Sequence, residues 1–353
     1  MMRQGQILEG QILGWMSALL FEVPLVHATD AVSLRDYDPS RNVSICAAMG
    51  EGFVQLPQSP TCVRIGGSVE YEITAGADPS SGERRKTWGQ STSATLYGDV
   101  RTQTEQGMLR AYFELESNIV DGVNEGVTFS EGVIGLGGIQ VGASSSQFDS
   151  WLDSAGNVLD DDVIPYASGK TNQLNYTASL GGGISAMLGA EQGDEGDDEK
   201  GDQGHAIDSY MPHLVGGLKL ERNWGAIGTV IGYDSVAEEV AAKARLDLKL
   251  GDTFSVFAMG GYQSNPGIPN YFGAWNGSYA AWGGLSVFLL PKLTLNGQAG
   301  YEDAGTYALA FNFDYEIAPR FTVTPELDYT VFGSDPSKPS DALGGMISIQ
   351  RDF

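Results

Sequence analysis

Residues 307–332 read YALAFNFDYEIAPRFTVTPELDYTVF, and apolar and polar positions alternate through most of them. Tyr307, Leu309, Phe311, Phe313, Tyr315 and Ile317 share one parity, while Asn312, Asp314 and Glu316 share the other. The alternation breaks at Ala318-Pro319-Arg320. It resumes with Phe321, Val323, Leu327, Tyr329 and Val331 against Thr322, Thr324, Glu326, Asp328 and Thr330. A period of two predicts strands, because successive side chains leave opposite faces of a pleated backbone. The apolar face must then be covered by a protein core or by lipid.

The same pattern recurs along the chain. It predicts strands at Val63–Thr74, Ser91–Arg101, Met108–Ser117, Glu131–Leu136, Ile139–Ser146, Asn172–Leu180, Ile184–Glu191 and Met211–Leu220. Further candidates are Ala226–Tyr233, Val240–Leu250, Phe254–Tyr262, Tyr279–Leu289, Leu293–Tyr301, the opening pair, and Ala342–Phe353. In Ala226–Tyr233 and Phe254–Tyr262 both parities are apolar. No segment carries a helical period. The total of about sixteen is even and within the range of outer-membrane barrels.

The links between strands sort by length. Alternate links are short: Thr102–Gln106, Gly137-Gly138, Gly181–Gly183, Glu221–Trp224, Gly251-Asp252, Pro291-Lys292 and Ala318–Arg320. The others are mostly long: Ala75–Gln90, Asn118–Ser130, Gln147–Thr171, Gln192–Tyr210, Gln263–Ser278 and Gly333–Asp341, with Asp234–Glu239 and Glu302–Gly305 shorter. Short turns at one end and long loops at the other are the pattern of a barrel inserted in an outer membrane. A soluble β-sandwich or β-helix, the other reading, has no reason to sort its loops by parity. Aromatics near strand ends, as at Tyr71, Tyr301 and Tyr329, suit an interfacial girdle. The expected fold is therefore all-β, a transmembrane antiparallel barrel of about sixteen strands. Its polar parity faces inward, around a lumen too wide for side chains to fill.

Composition narrows the partners. The chain has 353 residues, a formal net charge of −25 and 42% hydrophobic residues. That apolar content supports a folded body. The negative charge excludes nucleic acid as a partner and favours cations or surfaces bridged by divalent ions. Residues 1–28 read as a secretory signal, with an apolar run Ile12–Phe21 and small residues at Val26-His27-Ala28, although Glu9 and Glu22 depart from that pattern. No other stretch approaches the roughly 18 apolar residues a spanning helix needs. Residues 29–61 form an N-terminal segment, and 62–353 the barrel. Cys46 and Cys62 flank Pro57 and Pro60. An exported chain meets an oxidising compartment, where this pair closes a disulfide, and two separate thiols are the alternative.

Several runs carry a family likeness. VSICAAMGEGFVQLPQSPTCVRI (43–65), with its paired cysteines, intervening proline and Cys-Val-Arg-Ile ending, resembles the N-terminal signature of the general porins of alphaproteobacterial outer membranes. EQGMLRAYFELES (105–117), GGIQVGASSSQFD (137–149), MPHLVGGLKLERNWG (211–225) and the ending GGMISIQRDF (344–353) resemble later segments of that family. The likeness spans nearly all of residues 43–353. It implies a 16-stranded homotrimer that passes small hydrophilic solutes passively, with a third loop folded inward to narrow the pore. Phe353, with Ile347 and Ile349 on its parity, resembles the terminal signal read during barrel assembly. Arg351 breaks that apolar phase and snorkels to the interface.

The likeness places Gln147–Thr171 as the third loop, the pore constriction, and it carries Asp149, Asp153, Asp160, Asp161 and Asp162. Carboxylates in a constriction attract cations and repel anions, because low-dielectric walls focus the field. The other reading leaves these aspartates in bulk water. Arg64, Arg101 and Arg110, with Glu70 and Glu114, are the candidate pore wall. Ser91, Ser93, Ala143 and Glu114 stand where the family pattern usually has a basic residue, which weakens the expected transverse field. The run 191–208 carries Asp194, Glu195, Asp197, Asp198, Glu199 and Asp202 without the spacing of a calcium-binding loop. It reads as a solvated outer loop, or as a weak Ca²⁺ or Mg²⁺ bridge to lipopolysaccharide phosphates. Gly181-x-Gly183-x-x-Ala186 is a turn, because no helix follows to hold a pyrophosphate. His27, His205 and His213 are isolated, and no catalytic motif, metal-ligand set or cofactor motif is present. The sequence thus predicts a passive, cation-preferring channel in contact with membrane lipid and lipopolysaccharide, and not an enzyme. The alternatives are a structural or adhesive barrel and a soluble Ca²⁺-binding β-protein.

Overall fold

A computed structural model describes residues 45–194, 196–197, 202–333 and 337–353. The expected targeting segment 1–28, residues 29–44 and part of the acidic run 191–208 lie outside the described residues. Sixteen long strands make the body. They are β1 (Cys62–Gly76), β2 (Gly89–Thr104), β3 (Gly107–Val120), β4 (Val123–Leu136), β5 (Ile139–Ser145), β6 (Lys170–Gly181), β7 (Ile184–Glu191) and β8 (His213–Arg222). The rest are β9 (Gly225–Asp234), β10 (Glu239–Lys249), β11 (Phe254–Gln263), β12 (Tyr279–Leu290), β13 (Leu293–Glu302), β14 (Tyr307–Ala318), β15 (Phe321–Val331) and β16 (Asp341–Asp352).

Each strand pairs antiparallel with the next, and β16 returns to β1 from Gly344↔Gly76 to Asp352↔Ser68. The sheet is therefore closed. No described helix is long and apolar enough to cross a membrane. In the opening hairpin Phe311 faces Leu327 and Asn312 faces Glu326, so each parity is matched across the pair.

Burial answers which medium covers the apolar parity. Leu309, Phe311 and Leu327 are exposed, whereas Asn312, Glu326, Asp328 and Thr330 are buried. A water-soluble protein inverts this order. The exposed band continues through Ile227, Ile231, Leu285 and Leu343. Tyr279, Tyr301 and Tyr307 lie side by side near strand ends, with ring centroids 6.3 and 4.8 Å apart, as an interfacial belt requires.

One expected loop is not a loop. Asn118–Ser130 continues β3 and β4 as a projecting hairpin closed by Asp121-Gly122. Asp121 has φ 50° and Gly122 φ 83°, the two left-handed positions of the turn type that matches strand twist. The Asp-Gly pair was the available signal. The alternation around it is poor because Glu125 sits among the apolar positions and Val123–Phe129 is exposed on both faces. At the N-terminal edge, Ile45–Met49 forms a short helical turn fastened by the Cys46–Cys62 disulfide.

Phe311 lies mid-strand on the lipid face. Phe311→Arg is expected to lower folding free energy in phospholipid vesicles by about 2–4 kcal/mol, read by urea titration, because it forces a charge into hydrocarbon. A change of a few tenths would remove Phe311 from the bilayer.

Candidate functional site

Residues 146–169 link β5 to β6 and contribute several buried apolar side chains. Phe148, Leu152, Ile164 and Tyr166 pack with Met187, Val230, Met259 and Trp282 of the strands. The segment opens on a short helix, Gln147–Ser150, whose first turn is capped by the Ser146 hydroxyl accepting the Phe148 N–H at 3.1 Å. Glu191 of β7 accepts the Gln147 N–H at 2.7 Å. Asp149 accepts the Ser168 N–H at 2.6 Å, which ties the segment's two ends together.

Asp149 is also held by Lys243 of β10, Nζ to Oδ1 at 3.5 Å, with side chains 8% and 1% exposed. The Lys243 ammonium donates to the Tyr166 carbonyl at 2.5 Å and lies 4.4 Å from the Phe148 ring centre. A buried charge persists only when paired and hydrogen-bonded, and this pair meets both conditions.

Beyond its base the segment is bonded to strands far from β5 and β6. Asn157 Nδ2 donates to Ser286 Oγ of β12 at 2.9 Å. Trp282 Nε1 of β12 donates to the Ile164 carbonyl at 2.9 Å. Gln298 Nε2 of β13 donates to the Asp161 carbonyl at 2.7 Å. Asn312 Nδ2 of β14 donates to the Asn157 carbonyl at 3.0 Å. Glu326 of β15 accepts the Leu159 and Asp160 N–H groups at 2.5 and 2.7 Å. On β14 and β15, Asn312 and Glu326 belong to the polar parity, opposite Leu309 and Leu327.

The aspartates of the segment differ in surroundings. Asp149 is the buried structural partner of Lys243. Asp153 is exposed and lies 3.3 Å from Lys219. Asp161 is buried and accepts the Tyr166 hydroxyl at 2.7 Å, and burial pushes its carboxyl up to about 8. Burial also pushes Asp162 up to about 6. Asp160 is raised well above its ordinary range by burial and then by repulsion from Glu326 and Asp162. Carboxylate oxygens of Asp160, Glu326 and Asp328 all lie within 4.8 Å of one another.

The wall arginines are grouped elsewhere. Asp99 of β2 is buried and accepts from Arg101 at 2.7 and 3.1 Å and from Arg110 at 3.1 and 3.2 Å, with Arg64 at 3.9 Å. Phe53 lies against Arg64 and Arg101, 5.1 and 4.7 Å from ring centre to guanidinium carbon. Arg101 also donates to the Met49 carbonyl at 3.0 Å. The disulfide-fastened segment thus caps the arginine group. Glu114 accepts the Tyr112 hydroxyl at 2.7 Å, and Glu70 accepts the Ser348 hydroxyl at 2.5 Å. Phe353 exchanges two backbone bonds with Gly67, at 2.9 and 3.2 Å, extending the β16–β1 seam. A Cβ on Gly67 would stand 2.1 Å from the Thr95 carbonyl oxygen and 2.9 Å from the Phe353 ring.

Sequence reasoning did not assign roles to Asp99, Lys243, Glu326 or Asp328. All four are ionisable residues on strands, and the last two were already visible on the polar parity. Which segment each would meet is not encoded in any local pattern.

A sequence model of the porin subfamily matches residues 30–347. The chain is 37% identical over 354 residues to porin Omp2b of Brucella canis, covering 96% of this chain and 97% of that protein. Omp2b of Brucella abortus matches at the same 37% identity and the same coverage. Among solved structures, the chain is similar to the outer membrane channel DcaP of Acinetobacter baumannii, with TM-score 0.62, 16% identity, and 84% of this chain and 99% of that one covered. An anion-selective porin from Comamonas acidovorans is similar at TM-score 0.58 and 13% identity, over 83% of this chain and 100% of that one. At such identities the solved structures bear on the fold alone.

Lys243→Met would strand Asp149 as a buried, uncompensated carboxylate. Breaking such a pair costs about 3–5 kcal/mol, so the segment 146–169 is expected to release from the wall. Limited proteolysis with mass mapping should then cut within 146–169 in the variant and not in the parent. An uncut variant would show that other contacts hold the segment without this pair.

Proposed function

This chain belongs to the porin subfamily and is a channel of the bacterial outer membrane, and from that premise we propose that the channel prefers cations and that residues 146–169 narrow it. Porins are passive channels and not enzymes, so selectivity rests on pore radius and fixed charge. One observation carries the proposal. Asp160 is bonded through its N–H to Glu326, and its carboxylate stands beside those of Glu326 and Asp328. Glu72 of β1 is close enough to repel both Asp160 and Glu326. Arg64, Arg101 and Arg110 share Asp99 instead of offsetting this acidity, and Arg245 is paired with Asp247.

A cation entering such a narrowed, acid-lined passage recovers in carboxylate attraction part of the hydration it sheds, whereas an anion meets net repulsion. Small hydrophilic solutes pass through the same water-filled route. Hydrogen bonds from Ser286, Gln298, Asn312 and Glu326 to residues 157–161 support an inward course of the segment.

We further propose that the barrel assembles as a homotrimer and that its long loops face lipopolysaccharide. Val123–Phe129 supports the first part. Among the described residues β4 meets β5 only from Gly132 to Leu136, so the outer half of β4 is an open edge. It exposes Val123, Val127 and Phe129, and a neighbouring copy would cover this edge.

The test is the zero-current potential of single channels in a potassium chloride gradient. Replacing Asp160, Asp161 and Asp162 with asparagine is expected to lower the cation-to-anion permeability ratio about twofold or more, which needs only about 0.4 kcal/mol of lost field energy. An unchanged ratio would place the filter elsewhere.

Titration supplies a second check. Asp161 and Asp162, pushed up to about 8 and about 6, are largely neutral near pH 5 and ionised near pH 9. The ratio is therefore expected to rise with pH across that window. In the triple asparagine variant the rise should shrink, and a parent ratio flat from pH 5 to 9 would contradict the assignment.

A further inference from the structure

We propose that Asp160, Glu326 and Asp328 bind one divalent cation, Ca²⁺ by the chemistry of the donors, fastening the segment 146–169 to β15. Their oxygens lie within 4.8 Å of one another, a spacing that one ion can bridge. Ca²⁺ takes six to eight oxygen ligands at about 2.3–2.6 Å, so three carboxylates and lumen water supply a full shell. No nitrogen or sulfur donor belongs to the set, which sets aside zinc and copper in favour of hard cations.

A second observation points to a ligand. Asp328 is 1% exposed, no N–H or alcohol hydroxyl donates to its carboxylate, and the group against it is the Glu326 carboxyl, so the two acids need a proton or a cation between them. Buried carboxylates are paired, hydrogen-bonded or metal-bound, and the nearest groups here are two more acids. Five basic residues of the strands are engaged elsewhere: Arg64, Arg101 and Arg110 with Asp99, Lys243 with Asp149, and Arg245 with Asp247. Thr330, next on the same face of β15, also has a buried hydroxyl without a partner. Glu326 differs, because it accepts from Leu159, Asp160 and Asn312. Those bonds hold its carboxylate in place, and the ion would draw Asp160 and Asp328 onto it.

The ion has a consequence for transport. It cancels two of the three charges and adds a loop-to-wall bond, so Ca²⁺ would tighten the segment and weaken the pull on monovalent cations. The proposal stands whether or not the open channel prefers cations, because equilibrium binding reads the site without any current.

The test uses the full mature protein, chelator-washed, in detergent micelles, titrated with calcium chloride by calorimetry at about pH 8. One Ca²⁺ per chain that depends on Asp328 is expected, with a Kd of about 10⁻⁴–10⁻³ M. Asp328→Asn should weaken it by about tenfold or more, and so should Asp160→Asn, which lies on the segment and leaves the strand intact. Asp153→Asn, an exposed carboxylate paired with Lys219, should leave it unchanged. Circular dichroism confirms that each variant keeps its barrel. Absence of saturable binding in the parent would overturn the proposal and leave Asp328 neutralised by a proton. Binding that survives both Asp328→Asn and Asp160→Asn would overturn it equally, by assigning the ion to another loop.

Discussion

Every backbone amide inside a bilayer must find its partner within the protein, since hydrocarbon offers none. The rest of this structure follows from that constraint. A sheet satisfies it only by closing, and the β16–β1 seam performs the closure, with Phe353 and Gly67 adding its last pair of bonds. Closure gives the sheet an outside and an inside, and strand alternation then sends one parity to each. The exposed Leu309, Phe311 and Leu327 and the buried Asn312, Glu326 and Asp328 are two faces of one decision. Because the interior of a sixteen-stranded barrel is too wide for strand side chains to fill, polar groups there are left facing water or one another.

The segment 146–169 uses that surplus. Its apolar residues pack in one buried cluster with those of the strands, and its backbone is held by polar side chains of β12 to β15. At its base the buried Lys243–Asp149 pair fixes where it leaves the wall. Glu326 has two roles at once, since the carboxylate that anchors Leu159 and Asp160 also adds negative charge beside Asp160 and Asp328. Mechanical anchoring and ionic environment are thus built from the same atoms. Across the molecule, the three arginines share Asp99 under Phe53, so their charge is partly spent before it reaches the lumen.

The fold was largely legible because alternation, loop sorting and turn chemistry are all local. The sixteen strands fall where the period-two runs lie, including Ala226–Tyr233 and Phe254–Tyr262, where both parities are apolar. The exception, the hairpin at Asp121-Gly122, fails for a physical reason: Val123–Phe129 is exposed on both faces of the single chain and carries no parity to read. The site was legible only in part. A loop rich in aspartate announces charge, and the paired cysteines announced a bond that the structure contains. That Asp160 meets Glu326 is a contact across 166 positions, made by the closure of the barrel and by no pattern along the chain. Lys243 illustrates the same limit, because a lysine on the inward parity reads as a solvated pore-lining charge until the segment is seen to cover it.

The central claim is that one parity of each strand meets lipid and the other meets water, and β14 is the place to test it. Single cysteines from 308 to 314, spin-labelled in a barrel reconstituted into phospholipid vesicles, can be scanned with dissolved oxygen, which enters lipid, and with a water-soluble nickel chelate. Positions 309, 311 and 313 should be accessible to oxygen and shielded from nickel, and positions 308, 310, 312 and 314 should not show that lipid signature. Loss of the alternation, or its reversal with oxygen reaching the asparagine parity, would contradict the account at its root.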